Sequence, residues 1–180
     1  AMNTQGKAET SNATQTVLVT GGAGFVGNHV ALRLLEDGYQ VVIVDSVNQY
    51  YDPALKEARL ARLPDTVPVY RVDITDTDAL EAVFRAYQFH AVCHLAAQAG
   101  VRYSLEAPEA YVSTNYTGTF NVFELARRYG VSQIVHASTS SVYGATRPVP
   151  FTEDSAAVEP VSIYAATKRA DELMSETYAH

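Results

Sequence analysis

An apolar run from Thr16 to Thr20 passes directly into Thr20-Gly21-Gly22-Ala23-Gly24-Phe25-Val26-Gly27, and from there into a helical pattern. Three glycines at this spacing, between a strand and a helix, restrict the fold severely. Gly21 permits the tight turn, Gly24 lets a pyrophosphate approach the backbone, and Gly27 lets helix and strand pack closely. The same turn points the free N–H groups and the positive end of the helix at one place, which suits an anion. Glycine in a strand-to-helix turn often serves positive φ alone. Here strand, spacing and helix agree.

From residue 16 onward, short β-branched runs alternate with longer helical patterns. The predicted strands are 16–20, 40–45, 67–73, 91–96 and 133–138, and the predicted helices 25–37, 53–62, 76–87, 108–129 and 162–178. The strand runs lack alternation, as expected for strands buried on both faces. A βαβ series of this kind predicts an α/β fold with a parallel sheet and right-handed crossovers. At 180 residues the chain suffices for one domain with a substantial core. The polar stretch 1–15 reads as a disordered tail ahead of a domain at 16–180.

A net charge of −7 with no run of Lys or Arg argues against a nucleic-acid surface. No apolar segment is long enough for a membrane span, and no signal-peptide pattern opens the chain. The single cysteine, Cys93, fits a reducing, cytoplasmic setting, and its apolar neighbours mark it as a core thiol. His29, His90, His94, His136 and His180 share no ligand spacing with cysteine or acids, so no metal site is predicted. Glu153 and Asp154 read as a solvated loop.

The second strand run ends in Asp45, about 20 residues beyond Gly24. A carboxylate there suits an adenosine ribose 2′-hydroxyl and repels a 2′-phosphate, and Ser46, Val47 and Asn48 bring no arginine. NAD is favoured over NADP as cofactor. The plainer reading is an acid that merely ends a strand.

Tyr164 and Lys168 lie four apart in Ser-Ile-Tyr-Ala-Ala-Thr-Lys-Arg, a stretch free of Gly and Pro. On a helix that spacing puts both on one face. Bringing a phenol from a pKa of about 10 to work near neutrality takes about 4 kcal/mol. One cation at ~4 Å in an effective dielectric near 20 supplies about that much. The pair reads as a tuned proton carrier, although the same spacing also occurs on ordinary solvated helices.

Together, the glycine turn, Asp45, His94-Leu95-Ala96-Ala97, Ser138-Thr139-Ser140-Ser141-Val142-Tyr143-Gly144 and Tyr164-x-x-x-Lys168 resemble the extended short-chain dehydrogenases/reductases. That implies a Rossmann-type, doubly wound parallel sheet. More narrowly, Asn48-Gln49-Tyr50-Tyr51-Asp52, the segment 97–104 and the segment 160–168 are similar to nucleotide-sugar 4-epimerases acting on UDP-glucuronate.

The resemblance implies roles. Tyr164 exchanges the proton of the sugar 4-hydroxyl while C4 passes hydride to nicotinamide. Lys168 depresses the tyrosine pKa and binds the nicotinamide ribose, and Thr139 hydrogen-bonds O4. Cofactor contacts fall to Gly21, Gly24, Phe25, Val26 and Gly27, to Asp45 and Asn48, to Asp73 and Ile74 at the adenine, and to Leu95, Ala96 and Ala97 along the cofactor's path. Plain packing explains 73–74 and 95–97 nearly as well. Asn115 takes a structural place.

Related dehydratases and decarboxylases carry acids just after the threonine, where elimination needs a proton donor. Ser140 and Ser141 offer no group of suitable pKa. Epimerisation of UDP-glucuronate to UDP-galacturonate through a 4-keto intermediate is therefore expected. The serines and Arg102 become candidate partners of the substrate carboxylate, although Arg102 also reads as a solvated side chain. Members of the family continue into a sixth strand and a small substrate domain. With the chain ending at His180, a cofactor domain lacking most of the UDP-sugar site, and inactive by itself, is expected. The alternatives are a non-catalytic NAD-binding module, or a decarboxylase or dehydratase of the same superfamily. The helix at 108–129 carries more than one apolar face: one covers the sheet and the other suits the same helix of a second copy, which predicts a homodimer, with a monomer whose third helix covers that face as the alternative.

Overall fold

The computed structural model describes residues 14–145, 150–155 and 159–179; the predicted tail lies almost wholly outside them. Five strands, β1 (Thr16–Thr20), β2 (Gln40–Val44), β3 (Val69–Tyr70), β4 (Ala91–His94) and β5 (Gln133–His136), form one parallel sheet in the order β3-β2-β1-β4-β5. Parallel neighbours need crossovers. These are built on α1 (Phe25–Glu36), α2 (Pro53–Leu60), α3 (Thr77–Ala86), α4 (Tyr103–Glu106), α5 (Pro108–Tyr111) and α6 (Thr119–Arg128), and α7 (Ile163–Tyr178) follows β5.

Helices cover both faces, so the sheet has two cores. Leu18, Val42, Val44 and Val92 pack on one side against Leu80, Phe84, Val122 and Phe123. Val17, Val19, Val41 and Ile43 pack on the other against Ala31, Leu63 and Val67. This is why β1 and β2 read as unbroken apolar runs. The register sets Leu18 opposite both Val42 and Val92.

β3 is shorter than predicted. Pro68 has no N–H to donate, and the strand lies at the sheet edge, where such a residue is tolerated. Its pairing reduces to a few bonds, such as Ile43 N–H to the Pro68 carbonyl (2.9 Å) and Asp45 N–H to the Tyr70 carbonyl (3.1 Å). The long helix expected at 108–129 is divided: α5 passes into a π-helical stretch, Val112–Gly118, and then into α6. The wider turn carries Asn115 toward the end of β4, and Gly118 admits Ile74, whose Cδ1 lies 2.6 Å from where a Cβ would stand. Asp52, Asp76 and Ser162 cap α2, α3 and α7 through their side chains, each for about 1 kcal/mol. Strand order reverses between β1 and β4, and the crevice at their C-terminal ends is where a site belongs in such a sheet.

Candidate active site

The glycine turn is tight for steric reasons. Gly21 has φ 74°, and a Cβ on it would lie 2.7 Å from the Ala96 nitrogen. A Cβ on Gly27 would stand 2.2 Å from the Gly21 carbonyl oxygen. Gly24 is the N-cap of α1 and offers no side-chain cap. The first intrahelical bond is made by Asn28 N–H, so the N–H groups of Phe25, Val26 and Gly27 have no partner within the helix, the usual condition of a helix start that takes an anion.

A cavity of about 110 Å³ opens over the ends of β1, β2 and β4. Its walls include Gly21, Gly24, Asp45, Asn48, Asp73, Ile74, Leu95, Ala96 and Ala97. Asp45 is buried. Its Oδ2 accepts from Ala23 N–H (3.0 Å) and its Oδ1 from Val47 N–H (2.8 Å), the latter residue at φ 49°. Two backbone donors leave lone pairs on both oxygens for ribose hydroxyls. Asp73 Oδ1 binds the N–H and hydroxyl of Thr75, and Ile74 is a core residue, so the packing reading of this pair also holds.

Tyr50, Tyr51, Lys56, Gln98 and Thr114 also line the wall, and sequence reasoning gave none of them a site role. The buried Lys56 ammonium donates to the Asn48 carbonyl (2.8 Å) and Asn48 Oδ1 (2.6 Å), and stands 4.6 Å from the Tyr51 ring centre. Burial pulls its pKa down, and the Asp45 charge works against that. Glycines that any Cβ would block, a helix end with free donors and a buried acid fit a dinucleotide.

A second cavity, about 230 Å³, is lined by Val26, His94, Ala99, Ala137, Ser138, Tyr164 and Lys168, and by the same Leu95, Ala96 and Ala97. The two are therefore halves of one cleft. Tyr164, in the first turn of α7, sets its ring edge-on to the buried Tyr111 at 6.0 Å and 75°. Lys168 is one turn further on and also buried. Its ammonium donates to Asp171 Oδ2 at 2.7 Å, a carboxylate that the sequence reading did not consider. Burial pushes the Asp171 carboxyl up to about 6, with Lys168 pulling the other way. Ser138 donates to Glu172 of the same helix.

Thr139, Ser140, Ser141, Arg102, Phe25 and Gly27, all predicted for the site, stand outside both cavity walls. Thr139 Oγ1 accepts from Ser141 N–H at 3.2 Å, opening a short 3₁₀ turn, Ser140–Tyr143. Ser140 is exposed and Ser141 half-buried. Arg102 is exposed just ahead of α4. Phe25 is exposed against His29, and Gly27 packs beneath the turn. His94 is fully buried, bonded to Thr20 Oγ1 (2.7 Å) and Thr119 Oγ1 (3.0 Å), and held neutral with a pKa of about 3 by burial. Cys93 is half-buried in β4, and burial pushes its thiol up. Among the described residues no helix is long and apolar enough to cross a membrane, and no cluster of His, Cys, Asp and Glu could hold a metal.

Strand order, glycine turn and cleft define a Rossmann-type α/β domain. Residues 18–180 match the family model described as GDP-mannose 4,6 dehydratase, and the chain belongs to that family. It is 49% identical, over 165 residues, to the UDP-glucuronate 4-epimerase of Thermodesulfobacterium geofontis, covering 91% of this chain and 51% of the relative. The UDP-glucose 4-epimerase of Thermus thermophilus, solved in complex with NAD, matches with a TM-score of 0.81 at 36% identity, over 92% of this chain and 51% of that one. The Bifidobacterium longum UDP-glucose 4-epimerase, solved with NAD+ and UDP, gives 0.81 at 30% identity over 91% and 48%. The chain spans about half the length of the curated relatives it matches.

Proposed function

We propose that this chain is the cofactor-binding part of an NAD-dependent nucleotide-sugar 4-epimerase, with UDP-glucuronate and UDP-galacturonate as the sugar pair. One observation carries the reading: Tyr164 and Lys168 open into the same cleft as Asp45, with Leu95, Ala96 and Ala97 as the shared wall. The open N–H groups of α1 would hold the diphosphate, Asp45 the adenosine ribose, and Asp73 and Ile74 the adenine. Tyr164 and Lys168 stand at the nicotinamide end. NAD supplies the hydride acceptor and donor for C4 of the sugar.

The chain's own part is proton handling and orientation. Tyr164 takes the 4-hydroxyl proton as C4 is oxidised and returns it when the ketone is reduced on its other face. Thr139 would hydrogen-bond O4. Ser140, Ser141 and Arg102 would steady the uronate carboxylate. Elimination, as in a 4,6-dehydratase, calls for an acid just after Thr139, and two serines stand there instead. The names and substrates of the relatives point the same way.

Titration with NAD and with UDP is the first test: the chain is expected to take NAD and to hold UDP poorly. In protein competent for turnover, Tyr164→Phe is expected to abolish conversion and leave NAD binding within a few fold. Turnover surviving that change would remove Tyr164 from the chemistry.

A further inference from the structure

The ion pair between Lys168 and Asp171 has side chains only 5% and 0% exposed. Removing two charges from water is costly, and an apolar pair of similar volume packs at least as well. The pair is therefore poorly explained as stabilisation. An ammonium has three N–H donors. Among the described residues Asp171 is the hydrogen-bond partner of Lys168 Nζ, which leaves two donors for an occupant of the cavity that Lys168 lines.

A directed polar string also runs from the cleft wall to Thr119, a residue that favours the charged form of Asp171. Thr20 Oγ1 accepts from the N–H groups of Leu95 (3.1 Å) and Ala96 (3.2 Å). Its own hydrogen then goes to His94 Nδ1, so the neutral imidazole carries its proton on Nε2 and donates to Thr119 Oγ1. The Thr119 hydroxyl favours the charged form of the Asp171 carboxyl, and among the described residues Oδ1 is buried with no hydrogen-bond partner. The string starts at the backbone of the cleft wall and ends at Thr119, while Asp171 holds Lys168 at the same cleft. The titratable groups facing the pair are Glu172 on its own helix, His94 from β4 and His136 from β5.

We propose that Asp171 is a positioning residue, which anchors the Lys168 ammonium from behind so that its two remaining donors meet the dinucleotide. This rests on the reading of the chain as an NAD-binding domain. Protonating Asp171 releases the anchor, so NAD affinity falls as the pH drops through about 6.

The test is NAD affinity by calorimetry between pH 5 and 8, for the parent and for Asp171→Asn, with thermal melting to confirm folding. The variant is expected to bind about tenfold more weakly at pH 7.5 and with a flat profile, while the parent weakens toward pH 5. A folded variant within twofold of the parent at pH 7.5 overturns the proposal. Should Asp171→Asn not fold, parent protein with carboxyl-13C aspartate gives the same answer. The apparent pKa of Asp171 is expected to move when NAD is added, and an unmoved titration overturns the proposal. A parent that takes no NAD overturns the functional reading first, before any variant is compared.

Discussion

Asn115 grips Gln98 by both of its backbone groups: Oδ1 accepts the N–H at 2.7 Å, and Nδ2 donates to the carbonyl at 3.0 Å. The same Nδ2 reaches Thr167 Oγ1 at 3.1 Å, so one amide in the π-helical stretch ties the cleft wall to the helix of Tyr164 and Lys168. Asn115→Ala leaves two buried backbone groups unpaired, at a cost of about 2–4 kcal/mol. Urea unfolding is the measurement, and an unchanged midpoint would show that water replaces the amide freely.

Gly27→Ala sets a methyl group 2.2 Å from the Gly21 carbonyl oxygen, where backbone must shift. NAD binding is expected to fall by more than about a hundredfold, because the turn opens where the diphosphate is held. Gly38→Ala is the control. Its φ is 87° but among the described residues nothing lies within 4 Å of the added Cβ, so it is expected to cost about 1 kcal/mol of stability and no affinity.

Acid stability depends on two buried groups with opposite signs. His94, lowered to about 3, binds fewer protons folded than unfolded between pH 6.5 and 3, so stability is lost on acidification across that window. Asp171, raised from 3.8 to about 6, binds more protons folded, so it gives stability back as pH falls from about 6 to 4. At about 1.4 kcal/mol per pH unit, His94 offers roughly 5 kcal/mol against roughly 3 from Asp171. Between about pH 6 and 4 the two slopes, each worth one proton, nearly cancel, so the melting temperature is expected to stay almost level there, and to fall steadily in Asp171→Asn, which keeps the His94 slope alone. Identical profiles for the parent and Asp171→Asn from pH 6 to 4 would contradict the opposition of the two groups.

Val112, Tyr116 and Phe120, spaced four apart, are 49%, 48% and 45% exposed, while Tyr111, Val122 and Phe123 of the same segment are buried. We propose that this apolar stripe meets the same stripe of a second copy. Phe120→Glu is expected to convert a dimer to a monomer in sedimentation equilibrium. A parent that is monomeric at every concentration would end the idea.

Much of the site was legible because particular residues answer backbone demands. Gly21 must adopt positive φ and Gly27 must lack a Cβ, and such needs are written into the local sequence. Asp45 was legible because it follows an apolar strand at a fixed distance from the turn. Lys56 was not, because burial of a lysine depends on Asn48 and Tyr51 closing over it. Asp171 did leave a signal, a carboxylate three residues after Lys168 on a helix, yet surface pairs share that spacing. The π-helical stretch was hidden because its apolar residues fit an ordinary helical period.

The common wall of Leu95, Ala96 and Ala97 has a mechanical corollary. Both ends of a long bound molecule would lean on the same three apolar residues, the first two held from beneath by the Thr20 hydroxyl. Widening any one of them pushes on both ends together, so enlarging a side chain here should never yield a protein that keeps one end of its ligand and rejects the other.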